Sequence, residues 1–147
     1  MTAYATLNDL LEVEPSIQDY GVLDWAAELA KSTKEVQRLL AVRWWPQFSR
    51  QYNTTGQQFP KLNAELLTDS QWTQATVYHA LAYHICPKLT QFEPNNDKFQ
   101  VMMNYYAQRF DGEMDLAIRE GVEYDADNNN SISNSEEIAQ ASLRLRR

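Results

Sequence analysis

The run Asp97-Lys98-Phe99-Gln100-Val101-Met102-Met103-Asn104-Tyr105-Tyr106-Ala107-Gln108-Arg109-Phe110-Asp111-Gly112-Glu113-Met114-Asp115-Leu116-Ala117-Ile118-Arg119-Glu120-Gly121 decides the fold class. Phe99, Met102, Met103, Tyr106, Phe110, Met114, Ala117 and Ile118 recur mostly at intervals of three and four. That is the spacing of one face of an α-helix, not the alternation of a strand. Pro94 with Asn96 or Asp97 supplies a start signal, and Gly121 supplies a stop that accepts left-handed backbone. The expected helix, about 97–120, is the longest in the chain.

Upstream, residues 69–86 are apolar on most sides, through Trp72, Ala75, Val77, Tyr78, Ala80, Leu81, Tyr83 and Ile85. A helix of that kind belongs at the centre of a core. Thr68 with Gln71 reads as a capping box, and Pro87 disturbs the far end. Ser32 with Glu35 spells a second box ahead of Val36, Leu39, Leu40, Trp44 and Phe48, a helix that Pro46 should kink or end near Trp45. Before it, 21–31 carries Val22, Trp25, Ala26 and Leu29 at helical spacing, and Ser16 can cap a turn through Tyr20. Residues 49–67 are less regular, with turn signals at Asn53-Thr54-Thr55-Gly56 and Pro60. The expectation is an all-α fold: a small helical bundle over 1–121, then a loop, a short helix and an extended C-terminal arm over 122–147, one domain overall.

The chain has 147 residues, enough for one domain with a sizeable core. Its formal net charge of −7 argues against a general phosphate-gripping surface. One cysteine, Cys86, excludes an intramolecular disulfide. No apolar run reaches membrane-spanning length, and the first residues lack a signal-peptide pattern, so a protein without a membrane partner is expected.

Residues 125–136 match a calcium loop. Asp125, Asp127 and Asn129 fall at loop positions one, three and five. Ser131 would offer its carbonyl at position seven, Ser133 stands at nine, and Glu136 closes the loop at twelve. A hard cation wants six to eight oxygens, and this spacing converges them on one point. Asn130 replaces the usual glycine at the sharp turn, a mild departure because Asn accepts left-handed backbone. The loop reads as a weak structural Ca2+ site, with affinity on the order of 10⁻⁴ to 10⁻³ M, or as an ion-free loop of the same shape.

Catalytic signatures are missing from the sequence. His79 and His84 are five apart, so on one α-helix they face different directions. Asp111, Glu113 and Asp115 read as a solvated face, and Glu12 and Glu14 as surface. No phosphate-binding glycine loop or nucleophile elbow occurs, so a non-enzyme is expected. Trp45 falls beside the apolar stripe that holds Trp44. It reads either as wrapping a second side of the bundle or as part of a subunit interface. Leu143, Arg144, Leu145, Arg146 and Arg147 alternate apolar and basic, a pattern suited to an extended segment docked on a partner.

Taken together, several stretches resemble the small head–tail adaptor, or connector, proteins of tailed bacteriophages. They are Tyr78-His79-Ala80-Leu81-Ala82-Tyr83-His84-Ile85-Cys86-Pro87, 99–110 with Tyr105-Tyr106, Gly121-Val122-Glu123-Tyr124-Asp125, the acidic 125–136 loop and the Arg-ending tail. The likeness covers roughly 70–147. It implies a structural virion protein of the neck, made in the host cytoplasm, that assembles as a homo-oligomeric ring of twelve between the portal protein ring and a downstream neck or tail protein. The 143–147 arm would dock on the portal, and genomic DNA would pass the lumen without specific binding, a task that suits an acidic chain. The alternative is a calcium-binding helical protein-interaction module, which predicts a calcium-driven change in exposed apolar surface.

Overall fold

The computed structural model describes residues 3–20, 22, 24–52, 61–90 and 98–125, with only the backbone at 51 and 52. In chain order it forms α1 (Leu7–Val13), a 3₁₀ turn (Ile17–Tyr20), α2 (Ala26–Arg43) and α3 (Trp45–Tyr52). Two 3₁₀ turns (Ala64–Leu66 and Asp69–Trp72) lead into α4 (Thr73–Ala80), a π turn (Leu81–Ile85), α5 (Cys86–Leu89) and α6 (Lys98–Glu120). The described residues hold no strand, so the chain is all-α there.

Helix α4 is the middle of the molecule. It packs against α2 on one side and α6 on the other. Ala75, Thr76, Val77, Tyr78, His79 and Ala80 are all buried, as the near-continuous apolar sequence requires. Tyr106, Phe110, Met114, Ala117 and Ile118 of α6 meet it, while Leu29, Val36 and Leu40 of α2 close the other side. Trp25 and Trp72 are fully buried.

The expected α6 matches closely, and Gly121 ends it with φ 116°, a left-handed value open to glycine at little cost. Past it the chain stays with the core: Val122 and Tyr124 are buried. Tyr124 pairs with Leu67 in an isolated antiparallel bridge, in which Thr68 N–H donates to Glu123 O and Asp125 N–H to Leu66 O.

Three expectations need correction. Helix α2 is continuous across Ser32 and Glu35, so the second capping box does not exist. Gln71 does not cap either: its Nε2 donates to Gly121 O and its Oε1 accepts from Glu123 N–H, pinning the end of α6. The break expected near Trp45 is present: α2 ends at Arg43, and Pro46 lies in the first turn of α3. A real capping box stands at Thr6 and Asp9 instead, at the start of α1. Glu14 is also more than surface, because its Oε2 accepts the Tyr106 hydroxyl at 2.6 Å.

Candidate functional site

The helix read over 69–86 is not uniform, and its irregularity builds the site. At 81–85 the ladder widens to a π turn, with Cys86 N–H bonded to Leu81 O five residues back. Pro87 gives the reason. It has no N–H for the Tyr83 carbonyl, and in an α-helix its ring would press against that carbonyl. Widening the turn before it relieves the clash. In a π turn, positions five apart stack much as positions four apart do in an α-helix. His79 and His84 therefore share a face, with ring centroids 5.5 Å apart. The sequence expectation that they diverge is overturned by this one turn.

Both rings meet α2. Ser32 and Glu35 are three residues apart, on the side of α2 that faces α4. His79 Nδ1 lies 3.0 Å from Ser32 Oγ, which is wholly buried. His79 Nε2 lies 2.9 Å from Glu35 Oε2, and His84 Nε2 lies 3.3 Å from the same oxygen. The second approach is close but misaligned, so the buried His84 Nε2 makes no hydrogen bond. A buried polar atom left so typically costs about 1–3 kcal/mol. Phe110 and Tyr83 wall the His79 ring, at 4.8 and 4.7 Å between centroids.

Burial pushes the His79 imidazole down to about 4, against the Glu35 carboxylate, which pulls the other way. His79 is therefore neutral near pH 7, the form that carries a free ring lone pair. Its single proton has two homes. On Nε2 it is donated to Glu35, and Nδ1 accepts from the Ser32 hydroxyl. On Nδ1 it is donated to Ser32 Oγ, and the Nε2 lone pair then faces the Glu35 carboxylate, an arrangement that calls for a cation between them. Beside the cluster lies a pocket of about 290 Å³ lined by Glu35, Arg38, Leu39, Val42 and His79.

A second feature lies on the outside of α6. Val101, Tyr105 and Leu116 are 69%, 54% and 52% exposed, although the opposite face of the same helix forms the core. Their spacing of four and eleven keeps them within one stripe. Gly112 belongs to that stripe, and a Cβ there would meet nothing within 4 Å.

Of the residues singled out in the sequence as metal-binding or partner-binding, the structure describes Asp125 and Trp45. Asp125 is buried, its N–H held 3.0 Å from Leu66 O. The other loop residues, Asp127, Asn129, Ser131, Ser133 and Glu136, lie outside the described residues, as do Leu143, Arg144, Leu145, Arg146 and Arg147. Trp45 is half-buried and joins an aromatic cluster, 5.2 Å from Tyr124 and 5.8 Å from Phe48. Trp44 stacks on Phe48 at 4.6 Å, so the tandem tryptophans enclose one cluster from two sides.

Sequence reasoning missed Glu35, and it read the histidines as separate. The legible clue was Pro87 three residues beyond His84, which penalises regular α-helix over the intervening turn. Among the described residues no helix is long and apolar enough to cross a membrane. No protein-family model, curated protein or solved structure matches the chain.

Proposed function

We propose that this chain is a structural adaptor of the neck of a tailed-bacteriophage virion. In this reading it performs no chemistry. Its bundle forms a ring with copies of itself, the ring sits beneath the portal, and DNA passes the lumen. The observation that carries the reading is the exposed apolar stripe of α6. Val101, Tyr105 and Leu116 stand exposed on the outer side of α6 between the polar residues Gln108, Asp115 and Arg119, a mixed surface of the kind that meets a partner. In this reading, which rests on the resemblance over 78–87, 99–110 and 121–125, the partner is a neighbouring copy of the same chain in a ring.

Asp125 adds a mechanical element. The bridge between Leu67 and Tyr124 and the Asp125–Leu66 bond hold the start of the 125–136 loop to the body. The loop, with or without Ca2+, then sets the direction in which the 143–147 arm leaves toward the portal. The acidic balance of the chain keeps DNA from adhering during transit.

Paired substitutions on the stripe test the reading. Val101→Asp with Leu116→Asp changes only exposed positions, so the unfolding free energy should stay within about 0.5 kcal/mol of wild type per site. Self-association in sedimentation velocity should weaken at least tenfold. Unchanged association with an unchanged fold would remove the stripe from the interface.

A further inference from the structure

The structure assigns a binding site for a divalent transition-metal ion of the zinc class to Glu35, His79 and His84, a site that does not depend on the adaptor reading. Three ligand atoms, two imidazole nitrogens and one carboxylate oxygen, lie within 4.8 Å of one another. Imidazole selects zinc, copper, nickel or iron over calcium and magnesium, which favour oxygen. With zinc–ligand bonds of about 2.0–2.1 Å, the edges of a tetrahedral site are ~3.4 Å. His84 Nε2 is already 3.3 Å from Glu35 Oε2, and His79 Nε2 at 2.9 Å needs only a small opening.

Three independent features point the same way. His84 Nε2 is buried and lacks a hydrogen bond, so a nitrogen is already aimed at the cluster with nothing aligned to receive it. Ser32 Oγ stands 3.0 Å from His79 Nδ1, where it can accept that N–H and leave the Nε2 lone pair for the ion. Outer-shell acceptors of this kind orient metal-binding histidines. The π turn brings His79 and His84 together, and such turns are frequent at functional sites.

Glu35 is the open side of the cluster, with its side chain 41% exposed. A water reaching the ion from the adjoining pocket completes four-coordination. Bound there, the ion joins α2 to the π turn that follows α4, and so joins two elements of the core.

The chain contains only two histidines, so any histidine-dependent binding must report on this site. The test is a Zn2+ titration of tag-free, chelator-treated full-length protein, by calorimetry with chelator competition. One equivalent is expected, with binding at least tenfold weaker in His84→Gln and in Glu35→Gln. Asp125→Ala with Glu136→Ala should leave it intact. Because the cluster is in the core, a ring-nitrogen NMR titration of the wild type supplies a second readout, in which both Nε2 resonances move on adding Zn2+. Absence of Zn2+ binding, histidine resonances that stay in place, or binding lost only in the Asp125/Glu136 variant would overturn the assignment.

Discussion

Thr33 shows how much one hydroxyl can hold in this molecule. Its Oγ1 donates to Leu29 O at 2.9 Å, one turn back in α2, and accepts the Tyr4 N–H at 3.0 Å. The first bond is local, while the second fastens the segment before α1 to the middle of α2. Thr33→Val keeps the shape but leaves the buried Tyr4 N–H unpaired, so a loss of about 1–3 kcal/mol is expected in urea unfolding. Thr33→Ser keeps the hydroxyl and should lose less. The neighbouring Ser32 explains a misreading. A Ser-x-x-Glu pattern marks a helix start, but the same spacing also places two polar side chains on one face in mid-helix. Only the partner decides between the two, and that partner, His79, is 47 residues away. Glu35 was therefore written in the sequence as a cap and is used in the structure as a neighbour of two histidines.

At the scale of elements, regular helix was legible and irregular helix was not. The α6 stripe and its Gly121 stop follow from periodicity and backbone freedom, both local properties. The π turn at 81–85 depends on whether tertiary packing stabilises a wider turn before Pro87, which no periodicity reports. The short helix α5 beyond it is fastened to α2 by an ion pair between Lys88 Nζ and Glu28 Oε1. Burial raises the Glu28 carboxyl, but the Lys88 hydrogen bond, a backbone hydrogen bond and nearby positive charge outweigh it, so the net shift is downward from 4.5. A carboxyl lowered by folding stabilises the fold above its unfolded value, and that stability is lost as pH falls through the folded value. The unfolding free energy of wild type minus that of Lys88→Gln should thus be steady from pH 6 to 8 and shrink below about pH 4.5. A difference that stays level down to pH 3 would show that the pair does not set it.

For the whole molecule, the sequence carried the all-helical class and the central place of α4, since both follow from where apolar residues recur. It could not carry the bridge that returns 122–125 to Leu66 and Leu67, because one isolated pair leaves no pattern to read. The interface proposed for α6 sits between these cases. Val101 and Tyr105 lay outside the stripe read in the sequence, and only the packed structure separates the covered face from the open one. The central claim concerns assembly, and native mass spectrometry of the purified chain tests it most directly, alone and mixed with a candidate portal ring, in calcium and in chelator. The account predicts a ring complex with one copy of this chain for each portal subunit. Its survival in chelator would mean that the 125–136 loop needs no ion for assembly, and its loss there would make the loop a metal clamp. A chain that stays monomeric with the portal ring in both conditions would contradict the account.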